Sequence, residues 1–169
     1  MRDSEFDLYV GGNMLDRKTT HLGPWLAVPM LALSLPCLAQ PDSEDIIKYR
    51  QSYMKALGGH MGSAAQIVRG KVDPAGHLVR HAEAIAALSE DITVLFPKGS
   101  DFGETDAKPE VWEDWDGFQK AAGKEKQASA EFLGAVERSA DAKSVGEAFK
   151  ALSDACKGCH EKYRAEEED

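Results

Sequence analysis

Cysteine is scarce in this chain: three occur in 169 residues, at positions 37, 156 and 159. That is too few for a disulfide-stapled framework. Dense clusters of lysine and arginine are missing as well. With 20 basic against 29 acidic side chains and a net charge of −9, nucleic acid is not an expected partner. An acidic surface of this kind sets solubility and the sign of a protein partner. Convincing strand-type alternation is absent, so no sheet is expected. Beyond position 40 proline stands only at 41, 74, 97 and 109, and none of these interrupts an apolar periodic run, as helix boundaries require.

The nearest approach to a long apolar stretch is "LGPWLAVPMLALSLPCL", residues 22–38. Arg17 and Lys18 precede it and Ala39 follows, the order of a secretory signal. As a membrane span it is short and broken by Pro24, Pro29 and Pro36. Cys37 raises a lipoprotein reading, for which Pro36 is a poor neighbour. The acidic "MRDSEFDLYVGGN" fits no signal, and Met14 is a more natural start. Residues 1–39 are therefore expected to be an N-terminal extension plus a signal peptide, cleaved after Ala39. Residues 40–169 are expected to be one exported domain without membrane insertion, in a compartment where disulfides persist.

Four helices are expected. The first runs from about Ser43 to Val68, with Ile46, Ile47, Arg50, Met54, Leu57, Met61, Ala64, Ala65 and Val68 at helical spacing, behind a cap at Asp42 or Ser43. Gly58, Gly59 and Gly62 cost it about 1 kcal/mol each. They read either as a weakened turn or as room for another helix or a flat ligand. The second runs from about Pro74 to Leu95, with Leu78, Ala82, Ile85, Leu88, Ile92 and Leu95 on one face. The third starts at Pro109, a favoured first-turn proline, and carries Val111, Trp112, Trp115, Phe118, Phe132, Leu133 and Val136. The fourth follows "SADAK". Mostly short connections make this an all-α, antiparallel up-down-up-down bundle with room for a cofactor between helices.

"CKGCH", residues 156–160, ends that bundle. Val145, Ala148, Phe149 and Leu152 form the apolar stripe of the last helix, and Cys156, Cys159, His160 and Tyr163 continue it, so thiols and imidazole are expected to face inward. Three chemistries use such residues. A structural zinc site needs four ligands, and only His60, His77 and His81 remain, scattered along the chain and each more readily a surface side chain than a ligand. A dithiol oxidoreductase places its pair at a helix N-terminus, whereas this pair sits near a C-terminus. Covalent haem needs two thiols for thioethers and an adjacent histidine for iron, and all three are present.

With "KYRQSYMKALGGHMG" (48–62), "LFPKGSD" (95–101), "KPEVWEDW" (108–115) and "CKGCHEKYR" (156–164), the chain resembles the cytochromes c′ from 42 to 164. The resemblance implies one covalent haem c per chain near the C-terminal helix of a four-helix bundle. It also implies a homodimer in the bacterial periplasm, and nitric oxide or carbon monoxide binding together with electron transfer to redox partner proteins. Carried onto this sequence, Cys156 and Cys159 are the attachments and His160 the iron ligand. Arg50 approaches a haem propionate, with an ordinary ion pair as the alternative, and Arg164 lies near the imidazole, with a solvated helix-end cation as its alternative. Met54 either covers the open face of a five-coordinate, high-spin iron or ligates it, making a six-coordinate, low-spin electron carrier. No acid–base pair or activated nucleophile argues for enzymatic turnover.

Overall fold

The computed structural model describes residues 42–74 and 76–166. The expected signal segment 1–39 and its cleavage after Ala39 lie outside them.

Helix α1 (Ser43–Val68) begins where Asp42, in extended conformation, accepts a hydrogen bond from the Glu44 amide at 3.1 Å. Glu44 and Asp45 in its first turn complement the helix dipole. Helix α2 (His77–Ser89) follows Gly76, whose φ of 70° lies in the left-handed region glycine enters without strain.

Two boundaries differ from expectation. The second helix does not continue to Leu95: α2 ends at Ser89, and Ile92–Leu95 is a separate 3₁₀ turn. Ile92 and Leu95 are still buried, and their three-residue spacing suits a 3₁₀ turn as well as a helix, so the apolar pattern runs through the break unmarked. The third helix is also interrupted. A single turn, α3 (Glu110–Glu113), is followed by α4 (Trp115–Glu137), and Asp114 between them leaves helical geometry at φ −115°, ψ 55°. Its carboxylate accepts from the Gly117 amide (3.2 Å), Lys162 Nζ (2.5 Å) and the Tyr163 hydroxyl (3.2 Å). An aspartate that can cap a new helix and bind another competes well with continuing the old one. A Cβ at Gly117 would sit 2.2 Å from Asp114 Oδ2 and so displace the capping carboxylate.

Helix α5 (Ala142–Tyr163) opens on Asp141, which accepts from the amides of Lys143 and Ser144. α1 packs on α2 and α5, and α4 packs on the same two, which is the expected up-down-up-down four-helix arrangement. Phe132, Leu152, Ile85, Ala64 and Ala82 are sealed in the core, and Phe132 meets Phe149 edge-on at 5.3 Å. Among the described residues no helix is long and apolar enough to cross a membrane. The end of α5 is tied to the chain before α3: Lys108 N–H donates to Tyr163 O (2.9 Å) and Ala165 N–H to Asp106 O (2.7 Å).

Candidate functional site

The α5 stripe is apolar and closed at Val145, Phe149 and Leu152, then opens at the thiols. Cys156 and Cys159 are half-buried beside a cavity of about 530 Å³, within the range of about 300–1,000 Å³ typical of cofactor pockets. The opposite wall comes from α1: Arg50, Met54, Leu57, Gly58 and Met61. Phe96, Val111 and Phe118 supply further apolar surface. All six residues singled out from the sequence (Arg50, Met54, Cys156, Cys159, His160 and Arg164) line this one cavity.

His160 departs from the expectation that it faces the interior: it is exposed. At about 100° per residue the stripe of Leu152, Cys156, Cys159 and Tyr163 centres roughly 70° away from His160. The imidazole therefore stands on the flank of the stripe, at the rim shared by the cavity and an outer groove lined by Lys157, Glu161 and Arg164. Partial burial, and then the cation of Arg164, hold its pKa below the ordinary imidazole value. Both effects favour the neutral base, the form that binds a metal.

The thiols are displaced in the opposite sense. Burial, followed by the nearby carboxyl of Glu125, pushes Cys156 to about 12 and Cys159 to about 11. Redox-active cysteines need depressed values, so this environment is unsuited to thiolate chemistry. Two neutral thiols beside an imidazole, facing an apolar wall across a cofactor-sized space, fit the covalent haem anticipated from the sequence.

Arg50 is only 3 % exposed, with the charge of Asp106 nearby, and its hydrogen bonds go to the loop after the 3₁₀ turn. Its Nη1 donates to Leu95 O (3.1 Å) and Ser100 Oγ (2.9 Å), and its Nη2 to Ser100 O (3.0 Å) and Thr105 Oγ1 (2.7 Å). The guanidinium also lies over the Phe96 ring at 4.7 Å, a favourable cation–π contact. Arg50 thus fixes the loop between the 3₁₀ turn and α3. Trp112 belongs to the same support: its Nε1–H donates to Phe96 O and Pro97 O, each at 3.2 Å.

Glycines 58, 59 and 62 were open to two readings. A Cβ at any of them would meet nothing within 4 Å, so they serve no close helix contact inside the protomer, and Gly58 leaves space in the cavity wall.

Glu125 was not anticipated. It is 5 % exposed, lines the cavity, and accepts from Ser89 Oγ at 3.2 Å. Burial raises its pKa, opposed by that hydrogen bond. The signal was present in the sequence: Phe118, Ala122, Glu125, Ser129 and Phe132 step by three or four along α4, placing an acid on the apolar stripe. Asp106, Ser100 and Thr105 carried no such pattern, because loop residues acquire meaning only from what they meet.

Comparison with known proteins points in one direction. The family model for cytochrome c′ matches residues 45–164. The chain is 38% identical over 122 residues to cytochrome c′ of Pararhodospirillum photometricum, covering 72% of this chain and 97% of that protein. A nitric oxide complex of a cytochrome c′ variant from Alcaligenes xylosoxidans superimposes with a TM-score of 0.70 at 27% identity, covering 76% of this chain and all of the other. Another variant of that protein, at TM-score 0.69 with the same identity and coverage, carries carbon monoxide. A cytochrome c′ described as showing ligand-controlled dimer dissociation gives 0.70 at 29% identity, with the same coverage of both chains.

Proposed function

The chain belongs to the cytochrome c′ family, and from that membership we propose an exported haem protein with an open iron position, used for nitric oxide or carbon monoxide binding and for electron transfer. Cytochromes c′ carry haem c covalently. We assign Cys156 and Cys159 as its thioether attachments and His160 as the iron ligand. The observation carrying this reading is the gathering of two thiols and one imidazole on α5 across a single cavity from Met54, Leu57 and Met61 of α1. When bound, the group supplies a redox-active iron able to take a small diatomic ligand.

The chain's own residues then have distinct tasks. His160 offers a lone pair, and Arg164 beside it disfavours further positive charge on the ring. Arg50 holds the loop that closes one side of the cavity and supplies positive charge for an anionic substituent such as a propionate. Met54 is assigned to packing: a flexible thioether fills irregular space and excludes water from the face opposite His160. Residues 1–39 are proposed to be removed on export to the periplasm, leaving 40–169. Association as a homodimer through α1 is proposed on the open surface at Gly59 and Gly62. Redox partner proteins complete the electron-transfer role.

The family also accommodates a second reading, a closed six-coordinate carrier ligated by Met54, which lines the same cavity. Optical spectra of the purified holoprotein separate the two. We expect a high-spin ferric spectrum near neutral pH and a ferrous form that takes up carbon monoxide. Met54→Ala is expected to speed gas binding without changing the resting coordination. A low-spin ferric form that becomes high-spin in Met54→Ala would replace the open-site reading with the closed one. A denaturing gel without haem stain at the protein band would remove both and return attention to a dithiol.

A further inference from the structure

Three of the four histidines among the described residues are not used by the haem site: His60, His77 and His81. Far apart in sequence, two of them meet where α1 packs on α2. His60 Nδ1 and His81 Nδ1 are 3.1 Å apart, with ring centroids at 5.3 Å and the rings inclined by 62°. Both are half-buried, and neither lines the haem cavity. Without a metal, the contact requires one nitrogen to donate a proton and the other to accept it.

We propose that His60 and His81 form a second metal site, taking a borderline divalent transition ion of the zinc class across the α1–α2 seam. Zinc–nitrogen bonds are about 2.0–2.1 Å, so an ion bound to two nitrogens 3.1 Å apart subtends an N–metal–N angle of about 100°, between octahedral and tetrahedral values. The ion replaces the shared proton, and the rings tilt their lone pairs toward it about χ2, a soft torsion in histidine. Imidazole donors select zinc, copper or nickel over calcium and magnesium, which prefer oxygen.

His77 is the third donor the proposal assigns. His77 precedes His81 by four residues, the spacing that places two histidines on one face of a zinc-binding helix. It is close enough to depress the protonation of His81, after burial and His60. Among the described residues no group of three His, Cys, Asp or Glu side chains already stands in a coordinating arrangement. His77 is exposed in the first turn of α2 and turns inward to complete the set, with water filling the remaining positions. The bound ion clamps α1 to α2 and favours the folded state, since it has no preformed site in the unfolded chain.

Calorimetric titration of the holoprotein with zinc chloride at pH 7.5 tests the proposal. One zinc ion per chain is expected, with affinity lowered at least tenfold in His60→Gln and in His81→Gln, and less in His77→Gln. The wild-type thermal midpoint should rise with zinc, while that of His81→Gln should not. An unchanged haem spectrum in each variant verifies that the haem site is intact. Should a variant not fold, zinc K-edge absorption of the wild-type complex reads the ligands directly: two or three imidazoles support the site, and an oxygen-only shell overturns it. Absence of zinc binding to the wild type, or wild-type affinity retained in His60→Gln and His81→Gln, also overturns it.

Discussion

The two halves of α5 carry one continuous stripe and do opposite things with it. In the first half, Val145, Phe149 and Leu152 press into a filled core, where Phe132 meets Phe149 edge-on. In the second half the same spacing presents Cys156 and Cys159 to a cavity of about 530 Å³. The stripe is the same in both halves; what differs is what lies across from it. To that filled core α1 contributes the small, buried Ala64 and Ala65. Near the second half it contributes Met54, Gly58 and Met61, whose flexible or missing side chains leave space. Helical periodicity thus records which residues point inward, while the character of the opposite wall decides whether they pack or bind.

The largest effect that would sharpen this contrast is expected in the closed half. Phe149→Ala should cost about 3–5 kcal/mol, the usual range for emptying an aromatic core position, measured by denaturant unfolding of the holoprotein. A loss below about 1 kcal/mol would break the distinction between a filled and an open half.

Next comes the support of the open half. Arg50→Leu removes four donors and leaves Ser100 and the Leu95 carbonyl without their partner. A loss of about 3 kcal/mol is expected, since a stranded buried polar group costs about 1–3 kcal/mol and several are involved. Hydrogen exchange should accelerate at residues 95–105 more than in α4. Uniform acceleration would show that Arg50 stabilises the bundle generally rather than this loop.

Glu125 gives a smaller effect of opposite sign. Its pKa is raised in the folded state, so folding binds a proton above the unfolded value of about 4.3. Its contribution is therefore most favourable in acid, declines as pH rises from there through the folded pKa, and is flat beyond. Glu125→Gln should stabilise the protein near pH 7 by on the order of 1 kcal/mol and flatten that pH slope. A variant less stable than wild type at pH 7 would mean that the carboxylate is needed in the cavity.

The smallest effect is expected at Asp114, where exposed Lys162 and the Tyr163 hydroxyl bind the carboxylate. The Lys162 hydrogen bond, chiefly, depresses its pKa, so its stabilisation is present above the unfolded aspartate pKa and is lost as pH falls through the folded value. Asp114→Asn should remove that acid-side slope, visible in thermal midpoints measured across acidic pH, and leave the core unaffected. An unaltered acid limb would remove Asp114 from the ties that hold the end of α5.

The sequence by itself determined what repeats locally. Proline positions, caps and apolar spacing gave the four long helices, with α1 reproduced from Ser43 to Val68. The contiguous "CKGCH" on a helical stripe suggested a chemistry because all three groups lie within five residues. Tertiary structure decided whatever depends on a partner distant in the chain. Asp114 breaks the third helix because Lys162 and Tyr163 meet it some fifty residues later. Arg50 holds a loop because Leu95, Ser100 and Thr105 fold over it. His60 and His81 become neighbours only when α1 packs on α2. The physical reason is common to all three cases: periodicity fixes the direction a side chain takes from its own helix, whereas a hydrogen bond, an ion pair or a shared metal needs a second group that only packing brings within about 3 Å.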